Sequence, residues 1–237
     1  MCRPFIESKG DVILPEIKWN KTCRTKVFEF SRVLDIELAS IIGFIDGDGS
    51  LVSDGVKLCF SEYEPEVEEH YTKLFAKRLN VRVPARCVGK DHTVQYKFCS
   101  SALSRWFKTL GVKPHGEESG IDVSQWGTEE QMAYVAALID TDGSLNSQEK
   151  PGRFNITLSM TSKGVIDNVI KILRFHGIDV HESVRVKGRK SPFYQIRVRS
   201  FKKYKLFTER VGRYMHCSHK LERLKSVEVD CDYNTIS

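Results

Sequence analysis

Two short stretches of the sequence each place two aspartates one residue apart at the end of an apolar segment. The first is IIGFIDGDGS, residues 41–50, and the second is VAALIDTDGSL, residues 135–145. Carboxylates that lie close together repel one another unless they stay solvated, share a proton or bind cations. Divalent metals between carboxylates and phosphate oxygens activate water and stabilise the leaving oxygen in phosphodiester hydrolysis. A single Asp-x-Asp-Gly motif, however, is more simply a helix end followed by a turn.

The two motifs lie at matching points of an internal repeat. Around each motif the sequence predicts a helix, two strands, a second helix, two further strands and a final helix, so a duplicated αββαββα unit explains both motifs. We therefore predict an α+β fold built as a pseudo-twofold tandem repeat. The predicted parts are an N-terminal extension (1–34), a first repeat (35–111), a linker (112–127), a second repeat (128–228) and a C-terminal tail (229–237).

Small residues recur at a spacing of four in both motif helices. They are Ala39, Gly43 and Gly47 in the first helix, and Ala133, Ala137 and Thr141 in the second. Residues four apart lie on one face of a helix, so these faces allow a second helix to approach closely. Two such helices side by side would bring their C-terminal aspartates together. Packing and chemistry then use the same motif.

Polar and apolar residues alternate along the predicted strands, which places the polar ones on one face of each sheet. These faces are rich in Arg, Lys, Gln, Asn, Ser and Thr, the residue types that reach base edges and phosphates in a DNA groove. A solvated face, the alternative, normally mixes both signs of charge. The candidate DNA contacts are Lys57, Ser61, Arg86, Gln95, Lys97, Arg153, Asn155, Thr157, Ser159, Arg185, Lys187, Arg189, Gln195, Arg197 and Arg199.

Charge and cysteine content bound the function class. The net charge is +6, but residues 150–225 hold 19 Lys and Arg against 5 Asp and Glu, which predicts a polyanionic partner. Seven cysteines without a C-x-x-C pair predict reduced thiols. HCSH, residues 216–219, has no second ligand pair at a suitable spacing, so no metal is predicted there. With neither a membrane-length apolar run nor a secretory signal, we expect an intracellular protein of a prokaryotic or phage-host cytoplasm, or of an organelle.

The chain resembles the LAGLIDADG homing endonucleases, in the single-chain form with two fused repeats. Residues 41–49 and 135–143 match the nine-residue signature, and the two halves match the family fold over roughly residues 35–228. The resemblance implies two antiparallel four-stranded sheets that form a DNA-binding saddle. It also implies cleavage of both strands across the minor groove of a long double-stranded target. Because both motifs are in one chain, we expect a monomer.

The resemblance also assigns roles to single residues. The second aspartates of the signatures, Asp48 and Asp142, are the expected metal ligands, with the carbonyls of Gly47 and Thr141 as additional ligands. Mg²⁺ is the expected ion, since oxygen ligands with several retained waters suit it. Mn²⁺ is expected to substitute for Mg²⁺, and Ca²⁺ to support DNA binding without cleavage. Lys220 matches a lysine that supports catalysis electrostatically; a surface lysine on a basic helix is the alternative.

The first aspartates, Asp46 and Asp140, match a position that is mostly structural in this family. In the first half Glu117 and Glu118 stand where a lysine is usual, so the cleavage rates of the two strands are expected to differ. The alternative function is that of a binding protein of the same fold: an RNA maturase, or a DNA-binding regulator that has lost cleavage. Aspartate at both metal positions favours the nuclease.

Overall fold

The computed structural model describes residues 11–17, 30–89, 91–112, 118–147, 154–186 and 192–233. The first half contains α1 Ile36–Gly47, β1 Gly49–Val52, β2 Gly55–Ser61, α2 Pro65–Arg78, β3 Cys87–Val88, β4 Thr93–Phe98 and α3 Ser101–Thr109. The second contains α4 Thr128–Asp142, β5 Gly143–Ser147, β6 Phe154–Met160, α5 Lys163–Phe175, β7 His181–Arg185, β8 Phe193–Val198, α6 Phe201–Arg210 and a further helix, α7 Ser218–Tyr233. Within these ranges no helix is both long enough and apolar enough to span a membrane.

The strands form two antiparallel four-stranded sheets of the same topology. The strand orders are β1-β2-β4-β3 and β5-β6-β8-β7. Leu58 pairs with Gly49 and Tyr96 in the first sheet, and Leu158 pairs with Gly143 and Ile196 in the second. The predicted α+β class, with two four-stranded sheets, is therefore confirmed.

Equivalent positions show where the two halves differ in length. The motif aspartates Asp48 and Asp142 are 94 positions apart, whereas Leu58 and Leu158 are 100 apart. The difference lies in the first hairpin of each half, because residues 53–54 connect β1 to β2 whereas residues 148–153 connect β5 to β6. β4 and β8, and α3 and α6 after them, keep the spacing of 100, whereas α5 begins 98 positions after α2. Ser100 and Ser200, for example, cap α3 and α6 by accepting the N–H of the residue three positions on.

Helices α1 and α4 lie at the centre of the molecule. Leu38–Ile45 of α1 and Gln131–Asp140 of α4 are buried without interruption. A helix that is apolar on all sides needs neighbours on all sides, and here each helix has the other helix and the sheet of its own repeat. Helix α1 is capped by Asp35, whose carboxylate accepts the N–H of Leu38 at 2.8 Å.

The predicted linker and N-terminal extension contribute to the core. Ile121, Val123 and Trp126 of the predicted linker are buried. Part of the N-terminal extension packs against α3, where Trp106 donates its indole N–H to the carbonyl of Pro15 at 2.8 Å. Helix α7 continues through residue 228, where the sequence predicted the second repeat to end.

Arg78 attaches the end of the N-terminal extension to the first repeat. Its guanidinium is buried and donates to the carbonyl oxygens of Ser31 at 2.7 Å and Val33 at 2.9 Å. It also forms an ion pair with the carboxylate of Asp35, the N-cap of α1, at 3.0 Å. Arg78 of α2 thus holds the start of α1 in place.

Candidate active site

The two motif helices approach so closely that side chains larger than those present would not fit. A Cβ at Gly43 would lie 2.5 Å from the carbonyl oxygen of Tyr134 and 3.0 Å from the Cβ of Ala137. A Cβ at Gly47 would overlap the side chain of Thr141. The spacing-of-four pattern in the sequence therefore corresponds to the actual contact face, and the helix ends lie side by side.

Asp48 and Asp142 lie together at this join, and both side chains are exposed. Asp48 is the C-cap of α1 and its N–H donates to the carbonyl of Phe44 at 3.0 Å, while Asp142 is the last residue of α4. Desolvation by the surrounding protein raises the pKa of Asp48 to about 7, and the charges of Asp142 and Glu64 raise it further. Such a group binds a proton or a cation to relieve the repulsion.

The first aspartates bind the two repeats to each other. The carboxylate of Asp46 accepts the hydroxyl of Tyr134, from the other repeat, at 2.8 Å, and that of Ser119, from the linker, at 3.2 Å. Burial raises the pKa of Asp46 to about 7, and these hydroxyl donors oppose the shift. Asp140 is fully buried and accepts the hydroxyl of Tyr71, from α2 of the first repeat, at 3.2 Å.

Asp140 also organises the segment that precedes α7. Its carboxylate accepts the backbone N–H groups of His216 at 2.8 Å and Cys217 at 3.1 Å. Burial raises the pKa of Asp140 to about 6 despite these bonds and the nearby charge of Lys220. Neither first aspartate is presented to solvent as Asp48 and Asp142 are, so the four motif carboxylates divide into an anchoring pair and an exposed pair.

Lys220 is a buried residue of α7, with 6% exposure. Its ammonium donates to the carbonyls of Ile139 at 3.0 Å, Asp140 at 2.6 Å and Thr141 at 3.3 Å, at the C-terminal end of α4. These are orphan carbonyls of a helix C-terminus, where a positive charge is favourable. The surface-lysine alternative is therefore wrong. The lysine lies close enough that its charge opposes the raised pKa of Asp48. It also occupies part of the bonding capacity of the Thr141 carbonyl, a predicted metal ligand.

The first half has acidic residues at the position that corresponds to Lys220. Glu118, one of the two acidic residues found where a lysine is usual, caps α5 instead. Its carboxylate accepts the N–H of Gly164 at 2.9 Å and the hydroxyl of Ser162 at 3.4 Å. Lys113 and Glu117 lie outside the described residues. The environments of the ends of α1 and α4 are thus unequal.

The polar sheet face of the first half has the alternation that the sequence predicted, whereas on the face of the second half Thr157 and Gln195 are buried. In β2, Val56, Leu58 and Phe60 are buried while Lys57 and Ser61 are partly exposed. The strand register pairs equivalent residues within each of the two sheets. Lys57 stands opposite Lys97, and the equivalent Thr157 stands opposite Arg197.

Most candidate DNA contacts share these faces. The faces contain Lys57, Ser61, Gln95, Lys97, Asn155, Thr157, Ser159, Arg185, Gln195 and Arg197, and Arg199 follows β8 in the same alternation. Several of them are already paired. Lys97 forms an ion pair with Asp54 at 2.6 Å. Gln195 donates to the Ser159 hydroxyl at 2.7 Å and accepts from the Arg197 guanidinium at 2.9 Å.

Arg86 does not join this surface. Its guanidinium makes a two-pronged ion pair with Glu68 of α2, at 2.6 and 3.1 Å, on the side of the sheet that the helices cover. Tyr96, a buried residue of β4, donates its hydroxyl to the same carboxylate at 2.8 Å. Among the other candidates, Arg153, Lys187 and Arg189 lie outside the described residues.

Sequence reasoning missed the hydroxyl donors Tyr71, Tyr134 and Ser119, and also Glu64. Tyr134 immediately precedes the second signature, so its place on the helix could have indicated a role. Tyr71 and Glu64 belong to the α2 region of the first repeat, and only tertiary packing brings Tyr71 to Asp140 and Glu64 to Cys217 in the second repeat. No spacing in the sequence indicates that contact.

The chain thus consists of two αββαββα repeats that are joined through their motif helices, and an exposed aspartate lies at the end of each of these helices. Residues 129–212 match the family model described as a LAGLIDADG-like domain. A structure of mesophilic variants of the homing endonuclease I-DmoI is 17% identical, with a TM-score of 0.55 over 74% of this chain and 89% of that chain. I-DmoI in complex with DNA and Mn gives 0.54, at 17% identity over 74% and 95%. The resemblance to the LAGLIDADG homing endonucleases is confirmed: residues 129–212 match a LAGLIDADG-like domain, and the two-repeat fold is similar to that of I-DmoI.

Two further proteins that are similar to this chain are not named as endonucleases. Full-length DUF199/WhiA from Thermatoga maritima is 14% identical, with a TM-score of 0.56 over 82% of this chain and 60% of that chain, so the fold is not confined to the proteins named as endonucleases. Among curated proteins, the glutamine–fructose-6-phosphate aminotransferase (isomerizing) of Methanocaldococcus jannaschii is 24% identical over 209 residues, 86% of this chain. The match spans 18% of the length of that protein.

Proposed function

We propose that this protein is a metal-dependent, sequence-specific endonuclease that hydrolyses both strands of a double-stranded DNA target. The observation that supports this most directly is the exposed Asp48 and Asp142 pair at the join of α1 and α4. A DNA-binding protein without cleavage has no use for two clustered carboxylates that would face phosphates. The raised pKa of Asp48, caused first by desolvation and then by the charge of Asp142, supports the binding of a cation or a proton there.

The donor set fits a hard divalent ion. Asp48 and Asp142 offer exposed carboxylate oxygens, and the Gly47 and Thr141 carbonyls stand next to them, as suits Mg²⁺ or Mn²⁺. When bound, such an ion supplies activation of water and stabilisation of the leaving oxygen. Lys220 has a positioning role in this scheme, because it fixes the end of α4 from which Asp142 projects.

The polar sheet faces would position the DNA. Each repeat presents one such face, and the two sheets flank the helix pair that holds the aspartates, so one duplex lying across both would place its central phosphates at the join. Lys57 and Lys97 in one half and Arg197 in the other supply the cationic groups for backbone or guanine contacts. Because one chain contains both halves, the complex should contain one protein per target.

Cleavage of a randomised duplex library tests the proposal and identifies the target sequence in the same experiment. The protein is incubated with the library in Mg²⁺, in Ca²⁺ and in chelator, and the cut ends and the retained duplexes are sequenced. We expect one long motif, cut on both strands in Mg²⁺ and retained uncut in Ca²⁺. The maturase or regulator alternative predicts a retained motif, or an RNA ligand, without Mg²⁺-dependent ends.

A further inference from the structure

A second group of metal-binding side chains lies beside the aspartate pair. Donor atoms of Glu64, Cys217 and His219 all lie within 4.8 Å of one another. The Cys217 thiol donates to the Glu64 carboxylate at 3.5 Å and lies 3.8 Å from Nε2 of His219. Nε2 of His219 is 3.8 Å from the same carboxylate oxygen. The three residues thus face one point.

The cluster joins segments that are 153 positions apart in the chain. Glu64 is the N-cap residue of α2, yet its carboxylate makes no capping bond to α2 and is directed to the second repeat. The residues on both sides are firmly held. Ser218 donates its hydroxyl to Glu66 at 2.7 Å, and the Cys217 N–H donates to Asp140 at 3.1 Å. The three donor groups are therefore assembled by the fold without an ion.

We propose that Glu64, Cys217 and His219 bind one divalent ion of the zinc class, at a site separate from Asp48 and Asp142. Sulfur, imidazole nitrogen and carboxylate oxygen are the ligand types that Zn²⁺ and Co²⁺ select, whereas Mg²⁺ selects oxygen alone. Three protein ligands leave a fourth tetrahedral position for water. The HCSH motif supplied two of these ligands in the sequence, and the third comes from the start of α2.

Burial and charge determine how the ion would enter. Cys217 is fully buried and Glu64 is 21% exposed, but the side chain of His219 is 49% exposed and opens the site to solvent. Burial raises the pKa of Cys217 to about 12, so the thiol is protonated at neutral pH and binding must release one proton from it to solvent. Lys220, 3.9 Å from Glu64, is retained by its three carbonyl bonds and need not move.

Titration of the full-length protein with Co²⁺ tests the proposal by absorption spectroscopy, with excess Mg²⁺ present to occupy oxygen-only sites. We expect a thiolate-to-cobalt charge-transfer band that saturates at one equivalent and disappears on addition of Zn²⁺. Cys217→Ser should abolish the band. His219→Gln, at an exposed position that cannot disturb the core, should weaken Co²⁺ affinity by at least about tenfold.

Matched controls are Cys99→Ser and His181→Gln, because both residues are exposed and lie outside the cluster. Both controls should keep the wild-type titration. Absence of the band in the wild type, its survival in Cys217→Ser, or unchanged affinity in His219→Gln would each overturn the site. If Cys217→Ser does not fold, the His219→Gln titration decides. DNA cleavage is not the readout, so failure here leaves the endonuclease proposal standing.

Discussion

Replacement of Lys220 by Met tests whether the buried lysine maintains the end of α4. Methionine retains most of the buried aliphatic stem and removes the ammonium group. The carbonyls of Ile139 and Asp140 then lose donors at 3.0 and 2.6 Å, and the longer bond to Thr141 is also lost. A hydrogen bond to a charged group contributes about 1.5–3 kcal/mol, and an acceptor left buried without a partner incurs a penalty of similar size.

Counting only the two short bonds, at the low end of that range, gives a loss of about 3 kcal/mol in the free energy of unfolding. For a chain of this size the melting temperature should fall by roughly 6–12 °C. Urea denaturation in chelator measures the loss without any contribution from bound metal. Lys225→Met is the matched control, because Lys225 is an exposed residue of the same helix.

The bond to the Thr141 carbonyl connects this stability to catalysis. If Lys220 fixes the end of α4, the variant should slow DNA cleavage at saturating Mg²⁺ while its affinity for DNA in Ca²⁺ changes little. A loss of stability no larger than that of the Lys225 variant would refute the buried capping role. Normal cleavage by a folded Lys220→Met protein would refute the positioning role.

Three further predictions concern the helix join, the aspartate pair and the DNA face. Gly43→Ala places a methyl group against the Tyr134 carbonyl and should destabilise the protein by about 1–3 kcal/mol in thermal denaturation, whereas Gly120→Ala, with open space around it, should not. Asp48 has a raised folded-state pKa, so its ionisation destabilises the metal-free protein as the pH rises toward and above 7. Asp48→Asn should therefore stabilise the protein in chelator at pH 8 by about 1–2 kcal/mol, discounted for solvent screening, and the gain should shrink as the pH falls toward 4. Arg197→Ala should relax base preference by about 1–3 kcal/mol at one target position, measured by binding to single-substituted duplexes, and equal weakening on all sequences would instead make it a phosphate contact.

The repeat and the helix join could be predicted because local sequence encodes them. The alternation in β2 and β6 specifies which face is buried, and the spacing of Gly43 and Gly47 specifies which face of α1 meets α4. The motif aspartates lie at the ends of these helices, so the position of the helices also determines the position of the aspartates. Their approach is visible in sequence because both helices have the same small-residue pattern.

The contacts that distinguish the anchoring aspartates from the exposed ones could not be predicted in this way. Tyr71 reaches Asp140 of the second motif and Glu64 reaches Cys217, both across the repeats, and a long-range contact of this kind leaves no periodic signal in the sequence. The sequence places Arg86 among the DNA contacts, but the acceptor that binds it, Glu68, lies on helix α2. The burial of Lys220 was equally invisible, since a lysine in a basic segment has the composition of a solvated surface.

The central claim is that Asp48 and Asp142 form one composite metal site. The most direct test is plasmid cleavage by Asp48→Asn and by Asp142→Asn, with strand-specific end labels and DNA affinity measured in parallel in Ca²⁺. Asp179→Asn, at an exposed carboxylate away from the join, is the control. Because each carboxylate lies within the field of the other, we predict that either substitution impairs both cuts while DNA binding survives. Full double-strand cleavage by either variant would contradict the claim, and a clean nick of one strand would replace the shared site with two independent ones.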